Sequence, residues 1–176
     1  VADRNLKASE DYGRIVNQKH FDRLEQMIDE SLSLGARIEM KGDSDRASRF
    51  IHPVILSGVS ADSRMMKEEI FGPILPVVSY DDLSDAIEFI NKHPKPLALY
   101  LFSSDKSVHD QVVGSTSSGS VCINDCGIQF LHTSLPFGGI NNSGIGNSHG
   151  YFGFRAFSHE KPVLTQKRGI TSISAF

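Results

Sequence analysis

The sequence predicts an α/β fold, in which a layered sheet of parallel strands alternates with helices. The first observation is that apolar residues recur every three or four positions in three separate segments, as they do in helices that bury one face. The second is that short apolar runs of strand length stand beside those segments. Because strand and helix patterns alternate along the chain, we expect βαβ units with right-handed crossovers.

The N-terminal part of the chain predicts one helix and two strands. The helix covers residues 18–33, with Asn17 as its N-cap. The residues at helical spacing on its buried face are Phe21, Leu24, Met27, Ile28 and Leu32. Alternating apolar residues over 36–40 predict the first strand, and the apolar run at 53–56 predicts the second.

The middle of the chain repeats strand and helix twice. Residues 75–80 predict a strand, and a helix follows that begins after Asp82 and ends before a proline. Residues 97–102 are apolar throughout, which is typical of a central parallel strand buried on both faces. A further helix begins after Asp105, and residues 119–124 predict the next strand.

Composition limits the class of protein. The chain has 176 residues, 39% hydrophobic and 22% charged, which suits one folded domain and excludes the disordered and membrane-embedded classes. A net charge of −3 gives no reason to expect a nucleic-acid partner. No apolar stretch approaches the ~20 residues of a membrane span, so we expect no membrane anchor. The two cysteines, Cys122 and Cys126, favour a reducing, cytoplasmic location over a disulfide scaffold.

Residues 68–73, with the sequence E-E-I-F-G-P, are the most informative segment for function. The two oxygens of a carboxylate suit the neighbouring hydroxyls of a sugar, and Phe71 can pack against a planar ring. Gly72 permits an unusual backbone conformation, and Pro73 fixes the turn. The same residues also fit a surface acidic pair that precedes a core phenylalanine, so the pattern alone leaves both interpretations open.

Glycines and small polar residues dominate residues 125–153, which predicts a long structured loop. Loops of this kind are usually functional or lie at an interface. The glycines at 138–139 and within 143–146 can cradle a phosphate or simply form turns. Their spacing matches neither of the common phosphate-binding motifs, so turns are the preferred interpretation.

The cysteines and histidines do not predict a metal centre. Cys122, Cys126, His132 and His149 lack a recognised zinc spacing. Cys122 lies in an apolar strand and is expected to be a small buried residue. Cys126 is expected to be exposed and can be a nucleophile, but the sequence places no base beside it. His132 either lines a pocket or is a hydrogen-bonded structural histidine.

Several segments occur in an order that is characteristic of one enzyme family. They are D-Y-G-R-I-V-N at 11–17, E-E-I-F-G-P at 68–73, G-S-V-C-I-N at 119–124, L-P-F-G-G at 135–139, S-G-I-G at 143–146 and F-S-H at 157–159. Together they resemble the C-terminal part of an aldehyde dehydrogenase, and the first and last resemble its class 3 branch. That branch handles aromatic and medium-to-long aliphatic aldehydes, so the resemblance implies such a substrate. One motif would be weak, whereas an ordered set favours membership.

The resemblance implies roles for individual residues. Glu69 matches the glutamate that binds the nicotinamide ribose hydroxyls, and Phe71 matches the aromatic residue beside that ribose. Glu68 matches no ligand-binding residue and is expected to be a structural charge. The residues implied to lie near the substrate pocket, none of them catalytic, are Phe137, His132 and Asn124.

The resemblance also implies a domain organisation. Residues 1–157 would form most of the catalytic domain, and residues 158–176 a bridging tail. Residues 161–166 alternate like a strand and lack an obvious partner in this chain. Since family members pair their C-terminal strand across a dimer interface, we expect a homodimer that forms through this strand.

The departures from the family pattern concern catalysis. The family's reactive cysteine lies in a G-Q-x-C context upstream of this region, and the 176 residues contain no such context. The resemblance therefore implies a fragment, inactive alone, of an enzyme that oxidises aldehydes to carboxylic acids with NAD or NADP through a cysteine thiohemiacetal. The alternative is a non-catalytic α/β binding or oligomerisation module with a dehydrogenase-like surface.

Overall fold

The computed structural model describes residues 5–165 and divides the chain into two compact units, one ending at Asp81 and one beginning at Asp82. The first unit begins with a 3₁₀ turn at Leu6–Ala8. Its helices and strands are α1 (Gln18–Ser33), β1 (Arg37–Met40), β2 (Ser44–Asp45), β3 (Phe50–Ile51), β4 (Val54–Ser57), α2 (Arg64–Lys67) and β5 (Ile74–Val77).

Helix α1 covers the predicted residues and provides one side of the core of the first unit. The side-chain oxygen of Asn17 accepts a hydrogen bond from the His20 N–H at 2.8 Å, so the predicted N-cap is confirmed. The helix buries one stripe of side chains against the rest of the unit. The buried residues are Phe21, Leu24, Met27, Ile28 and Ser31.

A three-stranded sheet provides the other side of that core. Strand β4 lies in the centre, antiparallel to β1 and parallel to β5. Val54 and Leu56 of β4 are almost fully buried and belong to the same core as α1. The three predicted strands are therefore confirmed. The third ends at Val77 rather than at residue 80, because its partner strand ends at Ser57.

The sequence did not predict the hairpin formed by β2 and β3. These strands have two residues each and pair Ser44 with Ile51 and Asp45 with Phe50. Strands this short carry no measurable alternation, so only the tertiary structure reveals them. The Tyr12 hydroxyl donates a hydrogen bond to the Ile51 carbonyl at 2.8 Å and ties the N-terminal segment to the hairpin.

The second unit continues the alternation of helices and strands. Its elements are α3 (Leu83–Lys92), β6 (Ala98–Leu101), α4 (Lys106–Ser115), β7 (Ser120–Ile123), α5 (Ile128–Leu131), a 3₁₀ turn at Asn141–Ser143 and α6 (Gly150–Ala156). Strands β6 and β7 are parallel, with α4 between them in the chain. This arrangement confirms the predicted βαβ connection.

The prediction that residues 97–102 are buried on both faces is wrong in detail. Strand β6 is parallel as expected, but Tyr100 is 45% exposed. Within the described residues the sheet has only two strands, so β6 lies at an edge. The most deeply buried apolar residues of this unit are Val112 of α4, Cys122 of β7 and Ile87 of α3.

Both predicted helix caps of the second unit are confirmed. The carboxylate of Asp82 accepts a hydrogen bond from the Ser84 N–H at 2.8 Å, and that of Asp105 accepts one from the Ser107 N–H at 2.7 Å. The hydrogen bonds from the two serines hold the pKa of each aspartate below its usual value, because they favour the charged carboxylate. A charged N-cap also interacts favourably with the helix dipole.

The C-terminal predictions stay predictions. Residues 161–165 form no strand within the single chain, and the remainder of the predicted strand and tail, from residue 166, lies outside the described residues. The proposed boundary between residues 157 and 158 is likewise untested.

Candidate functional site

The segment at 68–73 connects α2 to β5, and side chains of α1 hold its backbone in place. Arg23 donates hydrogen bonds from one guanidinium nitrogen to the Glu69 carbonyl at 3.2 Å and from another to the Ile70 carbonyl. His20 Nε2 lies 3.1 Å from the Phe71 carbonyl oxygen and donates a hydrogen bond to it in the tautomer that is protonated at this nitrogen. Two residues one helical turn apart therefore bind three consecutive carbonyl groups. We call this arrangement, formed by His20, Arg23 and residues 69–71, the carbonyl clamp.

The two adjacent glutamates have different environments. The Glu68 carboxylate accepts hydrogen bonds from Arg64 at 3.0 and 3.3 Å and lies 3.5 Å from Arg23. The hydrogen bond from Arg64 is the main reason that the pKa of Glu68 lies below its usual value. The exposed Glu69 carboxylate makes no hydrogen bond or ion pair within residues 5–165. Glu68 thus serves the local structure, whereas the oxygens of Glu69 are available to a ligand.

Phe71 presents its ring to solvent from an unusual backbone conformation. Its φ is +51° and its side chain is 74% exposed. A bulky residue in the left-handed region is strained, and such strain concentrates at functional sites. The ring centroid of His20 lies 6.3 Å away, in an edge-to-face arrangement with the phenyl ring. The interpretation of Phe71 as a core residue is therefore wrong.

Gly72 has a packing reason to be glycine. A Cβ atom at this position would lie 2.5 Å from Cδ1 of Leu24, a fully buried residue of α1. On the other side, the Pro73 carbonyl accepts a hydrogen bond from the Val54 N–H at 2.8 Å. The segment is thus held against α1 and β4 at both ends.

Replacing Arg23 by Met should loosen this segment without unfolding the unit, because methionine keeps the apolar stem and loses every donor. At about 1 kcal/mol for each of two lost hydrogen bonds, amide exchange across residues 68–73 should accelerate about tenfold or more. Hydrogen–deuterium exchange with mass spectrometry measures this effect. Lys19→Met is the matched control, because Lys19 lies on the same helix and makes no ion pair within the described chain. Equal exchange in the two variants would contradict the carbonyl clamp.

In the second unit, the glycine-rich loop folds back on itself. Phe137 and Ser148 form an antiparallel bridge with N–H to carbonyl distances of 3.3 and 2.8 Å. A Cβ atom on Gly138 would lie 2.1 Å from the Gly146 carbonyl oxygen, and one on Gly139 would lie 2.1 Å from the oxygen of Ser143. Close approach of backbone to backbone therefore accounts for these glycines, in agreement with the preferred interpretation of turns.

Three aromatic rings meet beside this bridge. The centroids of Phe130 and Phe137 are 4.9 Å apart, and that of His149 lies 5.2 Å from Phe130 and 5.7 Å from Phe137. Phe130 is about half exposed, so one side of the cluster faces solvent. We call these three rings the aromatic wall. It is an apolar surface on which a hydrocarbon group can pack.

Asn124 and His132 do not contribute rings or hydrogen bonds to the aromatic wall within the described residues. Asn124 has a φ of +60°, and its side-chain oxygen accepts a hydrogen bond from the Ser103 N–H at 2.9 Å. It thereby joins the segments that follow the carboxyl ends of β6 and β7. His132 is exposed and ends α5, where its carbonyl accepts a hydrogen bond from the Leu135 N–H at 3.0 Å.

The cysteines match their predicted surroundings. Cys122 is buried in β7 and Cys126 is exposed. Within residues 5–165, no group of three or more histidine, cysteine or carboxylate side chains is arranged to hold a metal ion. No helix in that range is both long enough and apolar enough to span a membrane.

Comparison with known proteins gives the family. The profile of the "Aldehyde dehydrogenase family" matches residues 1–163. The chain belongs to the aldehyde dehydrogenase family. Aldehyde dehydrogenase family 3 member A2 from Rattus norvegicus is 47% identical over 160 residues, covering 91% of this chain and 32% of the relative. A 4,4'-diaponeurosporen-aldehyde dehydrogenase from Staphylococcus aureus is 43% identical over 96% of this chain and 36% of its own length.

Solved aldehyde dehydrogenases share the fold. A substrate-bound AldH from Staphylococcus aureus superposes with a TM-score of 0.86 at 43% identity, over 96% of this chain and 36% of that chain. A Mycobacterium tuberculosis aldehyde dehydrogenase in complex with NAD+ gives a TM-score of 0.78 at 30% identity, over 90% of this chain and 33% of that one. The resemblance to the class 3 branch and the α/β fold class are thus confirmed. The chain spans about a third of the length of the aldehyde dehydrogenases it matches.

Four residues of the carbonyl clamp and the aromatic wall were not predicted from the sequence. They are His20, Arg23, Phe130 and His149. A signal existed for the first two, because His20 and Arg23 lie one turn apart at the edge of the apolar stripe of α1. No sequence signal pairs Phe130 with His149, since the loop conformation alone brings them together.

Proposed function

We propose that this chain is the C-terminal third of a class-3-like aldehyde dehydrogenase that oxidises aldehydes to carboxylic acids with NAD or NADP. The observation that carries the proposal is the exposed Glu69 carboxylate beside the exposed Phe71 ring, on a backbone held by three hydrogen-bonded carbonyls. Family membership and the NAD+ complex of a structural relative support it.

Glu69 and Phe71 would hold the nicotinamide ribose. A carboxylate without a protein partner can accept hydrogen bonds from two vicinal hydroxyls, and charge-assisted bonds of this kind are strong. The phenyl ring of Phe71 would pack beside the sugar and limit its movement. When bound, the nicotinamide accepts the hydride that leaves the substrate.

Phe137 would form part of the substrate pocket together with the other rings of the aromatic wall. An apolar, partly exposed surface suits aldehydes with aromatic or aliphatic groups. We propose that Asn124 and His132 lie near the same pocket and have no catalytic role. This fits the use of the Asn124 side chain as an acceptor for a backbone N–H.

We propose that the nucleophilic cysteine comes from a segment outside these 176 residues. Cys122 is buried in β7, where a thiol cannot reach a substrate. Cys126 is exposed, and the carboxylate of the adjacent Asp125 accepts a hydrogen bond from the Cys126 backbone N–H at 2.7 Å. Its surroundings in the sequence, N-D-C-G, also differ from the G-Q-x-C context of the family's reactive cysteine. A thiolate of the longer enzyme would attack the aldehyde carbonyl to give the thiohemiacetal, and water would release the acid after hydride transfer.

We also propose a homodimer that forms through the C-terminal tail, and a cytoplasmic location. Phe157, Val163 and Leu164 are almost fully exposed, and large apolar side chains in this state favour association. Two free cysteines are compatible with a reducing compartment.

Activity measurements on two proteins test the main proposal. Residues 1–176 alone should bind NAD weakly or not at all, and should oxidise neither hexanal nor benzaldehyde. The full-length polypeptide that contains this chain should produce NADH or NADPH with both aldehydes. An inactive full-length polypeptide, folded by circular dichroism, would contradict the proposed function and favour the non-catalytic module.

A further inference from the structure

His149 occupies a position that ordinary folding preferences disfavour. Its φ is +75°, in the region that residues other than glycine rarely adopt, and it directly precedes α6. Its Nδ1 atom is buried and has no hydrogen-bond partner within the described part of the chain. An unsatisfied buried polar atom and a strained backbone both cost free energy. Their coincidence at one residue points to a function for the ring.

The loop bridge determines where this ring lies. Both the N–H and the hydroxyl of Ser148 donate to the Phe137 carbonyl, at 2.8 and 3.1 Å. The next residue, His149, therefore lies directly beside Phe137, and the two rings are nearly parallel at an interplanar angle of 22°. Phe130 forms edge-to-face pairs with both rings, at 82° to Phe137 and 64° to His149.

We infer that His149 is a positioning residue that fixes Phe137 and Phe130 in the aromatic wall and thereby favours aldehydes with bulky apolar groups. The inference rests on the proposed role of Phe137 in the substrate pocket. A phenyl ring with parallel and perpendicular neighbours has few accessible rotamers, so the wall is formed before the substrate arrives. A small aldehyde has little apolar surface to pack on the wall, so it should be less sensitive to the ring than a large one.

If His149 had a purely structural role, its substitution should have a different effect. The strained backbone allows the structural role and the positioning role to be distinguished. His149→Gly removes the ring and relieves the strain of a positive φ, so a structural role predicts an unchanged or more stable enzyme. His149→Phe keeps a flat ring at the same place. Asn141→Gly is the matched control, because Asn141 is an exposed residue of the same loop with a φ of +56°.

The experiment measures kcat and KM of the full-length enzyme for propanal and benzaldehyde. His149→Gly should raise the KM for benzaldehyde about threefold to tenfold more than the KM for propanal, in line with the loss of two ring–ring contacts. His149→Phe should restore the KM for benzaldehyde to the wild-type value. Asn141→Gly should leave the KM values for both aldehydes unchanged. His149→Asn, which removes the aromatic wall contact but tolerates a positive φ, replaces the glycine variant if that variant does not fold.

The inference is overturned if the ratio of the two KM values stays constant in His149→Gly and His149→Asn. It is also overturned if His149→Phe behaves like the glycine variant. An active wild-type enzyme with an unchanged ratio rejects the inference alone. An inactive wild-type enzyme rejects the proposed function, and the inference with it.

Discussion

Glu69→Gln in the full-length enzyme should raise the KM for the nicotinamide cofactor about thirtyfold, the largest functional effect we expect from this chain. Glutamine keeps one acceptor oxygen but loses the charge and the second acceptor. Weakening two charge-assisted hydrogen bonds by about 1 kcal/mol each gives roughly 2 kcal/mol, which corresponds to this factor. Steady-state kinetics at saturating aldehyde measures the change.

Glu68→Gln is the matched control for this prediction. It changes the adjacent residue by the same atoms, but the Glu68 carboxylate bonds to Arg64 and lies beside Arg23. We expect a cofactor KM within about threefold of wild type, since exposed ion pairs contribute little to a neighbouring site. Equal effects of the two substitutions would contradict the assignment of separate roles to the two glutamates.

Gly139→Ala, which adds one methyl group, should destabilise the chain far more than the matched substitution Gly114→Ala. The new Cβ atom would lie 2.1 Å from the Ser143 carbonyl oxygen and 2.5 Å from the Gly144 nitrogen, both of them backbone atoms that no rotamer change can move. The loop would have to open, at a cost of about 3 kcal/mol or more. Urea unfolding, followed by circular dichroism on residues 1–176, measures the loss in the free energy of unfolding.

Gly114→Ala is the control for an added methyl group. Gly114 lies within α4, and a Cβ atom there meets nothing within 4 Å. Because alanine is the better helix former, the substitution should stabilise the chain by about 0.5–1 kcal/mol. A neutral Gly139→Ala would show that the backbone contacts of the loop are looser than described. A destabilising Gly114→Ala would contradict the open space at that position of α4.

The sequence predicts best those elements whose cause is local. Helix α1 begins after Asn17 because a side-chain oxygen there can cap the first turn, and its apolar spacing identifies the face that is buried. Asp82 and Asp105 identify the starts of α3 and α4 for the same reason. The parallel pair of β6 and β7 follows from the helix between them, since a parallel connection needs a crossover.

The carbonyl clamp could not be predicted from sequence, because its partners are distant in the chain. Arg23 reaches carbonyl groups 46 and 47 residues further on, and His20 reaches one 51 residues further on. Every residue has a carbonyl group, so the sequence gives no indication of which ones a side chain will find. The hairpin of β2 and β3 was missed for another reason, since two-residue strands have no period.

The carbonyl clamp has a consequence for recognising related proteins. The six letters at 68–73 specify a carboxylate and a ring, but a separate helix determines where those two groups point. A gene that retains the letters while its counterparts of His20 and Arg23 have changed would encode the motif without its support. A histidine and an arginine three residues apart, about fifty residues upstream of the motif, are therefore a stricter criterion for the proposed ribose site than the motif itself.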